Sequence, residues 1–159
     1  MKSIHTWLNE YGQSHQNPTN KLIHWICVPL IFFSIIALLA AIPAQGLKDL
    51  FPEAYSRYIH YGTVLIVLGL LFYLRLSLPM FLGIALFCAL CLRGVIWLNM
   101  APLPLWLSAL SIFAAAWVGQ FIGHNIEGKK PSFFKDLQFL LIGPAWLMGF
   151  IFKKLGIKY

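Results

Sequence analysis

The apolar residues of this chain fall into long runs separated by short polar breaks. Residues 3–15 are different, because there apolar positions recur at helical spacing among polar ones. Ile4, Leu8, Tyr11 and His15 follow i, i+4, i+7, i+11 and share one face of a short amphipathic helix, with His5 well off that face. Gly12 weakens this helix and Asn17-Pro18 ends it. The same pair supplies a cap and a first-turn proline for the next helix. Four spans are then predicted, at about 22–42, 59–74, 79–98 and 105–122. The first is long enough to cross a hydrocarbon core of ~30 Å. A polar loop, continuing as a short helix towards Arg57, follows the first span. Tight turns at 75–79 and 99–104 join the others. The last apolar run, 137–152, is short and interrupted by Gly143-Pro144, which predicts an interfacial or re-entrant helix. The pattern therefore describes an all-α integral membrane protein, a single membrane domain over 1–159.

Composition agrees. Of 159 residues, 60% are hydrophobic and 11% charged, more apolar surface than a soluble domain of this size can bury. The net charge of +7 reads as orientation and contact with anionic headgroups. No aromatic-basic motif or zinc-finger spacing points to nucleic acid. With four spans, Lys2, Lys21, Arg75, Lys129, Lys130, Lys135, Lys153, Lys154 and Lys158 share one side, against Lys48 and Arg57 on the other. That bias puts both termini in the cytoplasm. The first twenty residues begin no apolar run of the cleavable-signal kind, which suits a bacterial inner membrane. Cys27, Cys88 and Cys91 all lie in apolar runs and read as small buried hydrophobes. The six tryptophans read mostly as interfacial belt residues, and Arg93 as a snorkelling side chain.

An even number of spans brings the two ends of the apolar region to one membrane face. At one end stands His15-Gln16-Asn17-Pro18-Thr19-Asn20-Lys21-Leu22-Ile23-His24. At the other stands Gln120-Phe121-Ile122-Gly123-His124-Asn125-Ile126-Glu127-Gly128-Lys129-Lys130-Pro131. Asn20 and His24 are one helical turn apart, as are Gln120 and His124, and Glu127 follows three residues later. A lone histidine at a helix end is most often an anchor or a cap. Three on one face, each with an amide or carboxylate neighbour, make a metal or catalytic site an even match for that reading. Three histidines, or two with a carboxylate, suit Fe(II), Zn(II) or Mn(II), and an open facial arrangement suits O₂ activation by non-haem iron. Asn17, Asn20 and Gln120 would orient the imidazoles, with backbone capping the simpler role for Asn17. Lys129 and Lys130 would hold an acidic headgroup. His60, at the opposite end of the second span, serves as the internal control.

The pattern His-x-Asn-Pro-x-Asn-x-x-Ile-His before the first span, with Gln-Phe-x-Gly-His, an acid and a basic-basic-Pro after the last, resembles the fungal endoplasmic-reticulum 2-hydroxy fatty acid dioxygenases. The likeness extends to bacterial relatives of that family and covers nearly the whole chain. After the proline the chain departs from the fungal pattern, with Ser132-Phe133-Phe134-Lys135-Asp136-Leu137. The resemblance implies Fe(II)-dependent shortening of a 2-hydroxy fatty acid by one carbon. His15, His24 and His124 would be the metal histidines, Glu127 the family's acidic residue, either a metal ligand or a group that handles protons, and O₂ and a membrane lipid acid the reactants. Two other readings compete: a metal-dependent lipid hydrolase with Glu127 as base, and a non-enzymatic transporter or scaffold. Oligomerisation is left open by the pattern.

Overall fold

The structure is a computed structural model that describes residues 3–128 and 139–159. Its helices are α1 (Ile4–Gly12), α2 (Pro18–Ala40), α3 (Gln45–Lys48), α4 (Tyr61–Leu76), α5 (Leu78–Asn99), α6 (Leu105–Ile126) and α7 (Ile142–Leu155), with a 3-10 segment at Glu53–Tyr58. The described residues contain no strand. The local signals explain the starts. Asn17 caps α2 by accepting from the Thr19 and Asn20 N–H groups, and Pro18 opens it where no N–H is needed. Ser77 both ends α4 and caps α5, so those two helices turn back on each other within one residue.

Three helices, α2, α5 and α6, are long and apolar enough to cross a membrane. The fourth expected span is α4, apolar but only 16 residues long, or about 24 Å at 1.5 Å per residue. Its neighbours are α2 and α5. The surface of α5 shows what surrounds the bundle. Met80, Ile84, Cys88, Cys91 and Val95 face inward and are buried, while Leu78, Leu82, Leu86 and Leu90 form an exposed stripe. Both faces are apolar, so the outward one suits lipid and not water. Cys88 and Cys91 behave as the small core residues their setting suggested.

The most extensive helix contact is α2 against α6, and two glycines permit it. A β-carbon on Gly119 would strike Cys27 Sγ, and one on Gly123 would overlap Asn20 Oδ1. This Gly-x-x-x-Gly spacing lets the backbones approach closely. It sets His24 of α2 opposite His124 of α6, because α6 runs one turn further than the expected 105–122.

Helix α7 begins at Ile142, later than the expected 137. Gly143-Pro144 lies in its first turn, where a missing N–H costs nothing, and so does not interrupt it. Eight of its 14 residues are buried, through contacts with α1, α5 and α2. The amphipathic face of α1, with Ile4, Leu8 and Tyr11 buried, is what covers it. The Tyr73 hydroxyl donates to the Leu141 carbonyl and ties α4 to the start of α7.

Candidate metal centre

His15 follows the last turn of α1, and its N–H bonds to the Gly12 carbonyl at 3.0 Å. Its ring stacks on Tyr11, with centroids 4.3 Å apart, and lies 5.4 Å from the Trp146 ring. His24 sits on the inner face of α2 and His124 on that of α6. Their exposures are 2% for His15, 0% for His24 and 5% for His124. The ring of His124 is 5.5 Å from that of His15 and 5.3 Å from that of His24. One nitrogen from each of the three lies within 4.8 Å of the others.

The hydrogen bonds fix how two of these rings face. His15 Nδ1 meets the Tyr11 carbonyl at 2.7 Å, and His24 Nδ1 meets the Asn20 carbonyl at 2.9 Å. A carbonyl only accepts, so each Nδ1 carries the hydrogen and each neutral ring presents an Nε2 lone pair. These two Nε2 atoms are 2.9 Å apart. Two lone pairs at that distance repel unless a cation lies between them. Three buried, convergent imidazoles, two of them with the second nitrogen tied back to a carbonyl, suit a divalent transition metal. The donor set therefore fits a metal. It is the main-chain carbonyls of Tyr11 and Asn20 that orient these rings, in the place the sequence assigned to side-chain amides.

Glu127 reaches back from the end of α6 to the α1–α2 junction. Its Oε1 accepts from the Gln16 N–H at 2.8 Å. Its Oε2 accepts from the Asn17 N–H and from Asn20 Nδ2, both at 2.9 Å. Burial pushes this carboxyl up. The bonds from Asn20, Gln16 and Asn17, with His15 nearby, outweigh burial and hold it at about 2. A carboxylate held in this way is ionised at neutral pH, has both oxygens engaged and is not among the convergent donors. It clamps the end of α6 to the α1–α2 junction. Asn17 is a cap. Asn20 bridges to the clamp, while Gln120 lies beside the histidines in a cavity wall. Lys129 and Lys130, expected to hold a headgroup, lie outside the described residues.

The cavity is about 30 Å³ and touches His24, His124 and Gln120 at its polar end. Val28, Ile31 and Ile35 line it further along α2, opposite Trp117. Trp97 and Trp106 are exposed, as belt residues need to be, whereas Trp117 and Trp146 are buried in the bundle. No signal in the apolar run around Trp146 marks it as a neighbour of His15. Arg93 is exposed and lies 5.1 Å from the Trp97 ring centroid.

The control histidines lie elsewhere. His60 caps α4 by accepting from the Thr63 N–H at 3.2 Å. Burial first, and then Lys48, hold its pKa below the usual imidazole range. His5 is exposed, 5.3 Å from the Tyr159 ring.

Fold and site together define an all-helical protein with apolar membrane helices and a buried three-histidine cluster at one end. A family profile described as 2-hydroxy-palmitic acid dioxygenase Mpo1-like matches residues 1–155, and the chain belongs to that Mpo1-like family. It is 30% identical over 155 residues to the 2-hydroxy-palmitic acid dioxygenase MPO1 of Saccharomyces cerevisiae, an overlap of 96% of this chain and 82% of the relative. No solved structure matches.

Proposed function

We propose that this protein is an Fe(II)-dependent dioxygenase that shortens a 2-hydroxy fatty acid, or a related lipid acid, by one carbon at the cytoplasmic membrane face. The observation that carries the proposal is the convergence of three buried imidazoles, two of which, His24 and His124, line a cavity whose other walls are mostly apolar. His15, His24 and His124 would hold the metal. A bound Fe(II) supplies the O₂ chemistry that side chains lack. The protein's own groups do the rest. The Tyr11 and Asn20 carbonyls hold the rings in register, and Glu127 fixes α6 against the α1–α2 junction. Tyr11 and Trp146 shield His15 from water. The cavity admits the polar end of a lipid acid but not a long chain. The tail therefore leaves past Val28, Ile31 and Ile35 towards the bilayer, and Lys129 and Lys130 neutralise the carboxylate. The reaction balances as one O₂ consumed, the carboxyl carbon released as CO₂, one water formed, and the carbinol carbon becoming the new carboxyl.

The topology follows from parity. The cluster requires the start of α2 and the end of α6 on one face. Since α5 and α6 are joined by a tight turn, α5 runs parallel to α2, and the chain must return between them. Helix α4 is the only element between them with the length and apolar surface to do so, which gives four spans in one membrane domain. Lysine bias then puts both termini in the cytoplasm and suits a bacterial inner membrane. The hydrolase reading is weaker, because both Glu127 oxygens already accept hydrogen bonds and a carboxyl held at about 2 is a weak base towards a metal-bound water. A transporter would place polar groups near the midplane, whereas here they gather at one end.

Purified protein loaded with Fe(II) should convert a 2-hydroxy C16 acid to the C15 acid with matching O₂ uptake. It should do nothing without O₂, and nothing when loaded with zinc, which has no redox chemistry. Turnover with zinc in the absence of oxygen would replace this reading with the hydrolase.

A further inference from the structure

Gln120 lies one turn before His124 on the same face of α6 and is 7% exposed. Its Oε1 is buried without a hydrogen-bond partner among the described residues. The side chain lines the same cavity as His24 and His124. A buried amide oxygen left unpaired is costly, so its position calls for a ligand group that donates. Asn20 Oδ1 is also unpaired, but it abuts Gly123 in the α2–α6 contact and its Nδ2 is committed to Glu127. Asn20 is therefore fixed in the packing, while Gln120 faces space. If the histidine nitrogens take the metal, the polar side-chain groups left on the cavity wall are the Gln120 amide, the Tyr11 hydroxyl and the Trp117 indole N–H, and of these only the Gln120 oxygen is a pure acceptor.

We propose that Gln120 reads the substrate's 2-hydroxyl group. Its Oε1 accepts from the hydroxyl O–H, and its Nε2–H donates to the adjacent carboxylate oxygen. This rests on the dioxygenase reading and adds a selectivity determinant to it. An unsubstituted acid has no donor for Oε1 and would leave it unpaired on binding. A 2-oxo acid has the oxygen but no hydrogen, and fails in the same way. A site built to bond a hydroxyl rejects the analogue that lacks it far more strongly than an apolar pocket rejects one methylene.

The test is binding, read from tryptophan fluorescence, since Trp117 lines the cavity. Full-length metal-free protein in detergent is titrated with 2-hydroxyhexadecanoate and with hexadecanoate, so that chelation plays no part. Wild type should prefer the hydroxy acid by at least about tenfold. In Gln120→Leu the two acids should bind alike, since both lose the amide bond to the carboxylate and only the hydroxy acid loses the acceptor for its O–H. Gln120→Met repeats the comparison with a side chain of nearly the same length, so a packing defect peculiar to Leu cannot decide the result. A preference that survives in either variant, at an unchanged melting temperature, overturns the role of Gln120 and leaves the dioxygenase reading standing. Metal-free wild type that binds neither acid also overturns the role of Gln120, while the dioxygenase reading stands or falls on the turnover test above.

Discussion

Buried histidine occurs at both ends of the α2–α4–α6 bundle, and the two ends use it differently. At the His60 end a single ring accepts a backbone N–H and finishes a helix start. At the other end two rings donate backwards to carbonyls and point their remaining nitrogens at each other and towards His124. Burial is nearly the same, 6% exposed for His60 and 5% for His124. The difference lies in which nitrogen is already satisfied. A ring whose Nδ1 accepts is complete as a cap. A ring whose Nδ1 donates has a lone pair left over, and several such rings together require a cation.

The largest break in this comparison should come from His24→Ala. Turnover should fall to background, while His60→Ala stays within about twofold of wild type, because a lost cap affects stability and not chemistry. O₂ uptake on a 2-hydroxy acid measures both. Gly123→Val should come next. Its branched side chain cannot fit against Asn20 Oδ1. Prising the helices apart should cost about 1–3 kcal/mol of stability and weaken the metal site as well, seen as a lower melting temperature and lower retained metal.

Glu127→Gln should act more mildly. It puts an amide NH₂ where either the Gln16 N–H or the Asn17 N–H and Asn20 Nδ2 need an acceptor, so metal affinity should fall about 10–100-fold, as for other supporting residues, without abolishing folding. The acid response sharpens this. The folded pKa of Glu127, about 2, lies below its ordinary 4.5. Its stabilisation is therefore full above about pH 4.5 and is lost as pH falls towards 2. Wild type should lose stability over that window more steeply than Glu127→Gln. The smallest effect belongs to His60→Ala, which should cost about 1 kcal/mol through loss of the α4 cap and leave bound metal unchanged.

Much of this was legible in the chain, for identifiable reasons. Asn17-Pro18 marks the start of α2 because capping is local. The helical spacing of Ile4, Leu8, Tyr11 and His15 places His15 inward because periodicity fixes a face. The paired motifs at 15–24 and 120–127 point to one centre because span parity brings them together. Four features were not legible. Periodicity does not reveal which groups hold the imidazoles, because main-chain carbonyls leave no trace in side-chain identity. The part played by Glu127 depended on its three partners at residues 16, 17 and 20, over a hundred positions away in sequence. The burial of Trp146 and the rest of α7 depended on α1 folding over it. Gly143-Pro144 looked like a break because a proline at a helix start and one in its middle are alike until the start is known.

The central claim is that His15, His24 and His124 form one metal centre and His60 does not belong to it. The most direct test is metal content per folded chain, measured on anaerobically purified wild type, His15→Ala, His24→Ala, His124→Ala and His60→Ala. Wild type should carry about one metal ion per chain, retained in His60→Ala and lost in each of the other three. Full metal in His24→Ala or His124→Ala, or its loss in a folded His60→Ala, would contradict it.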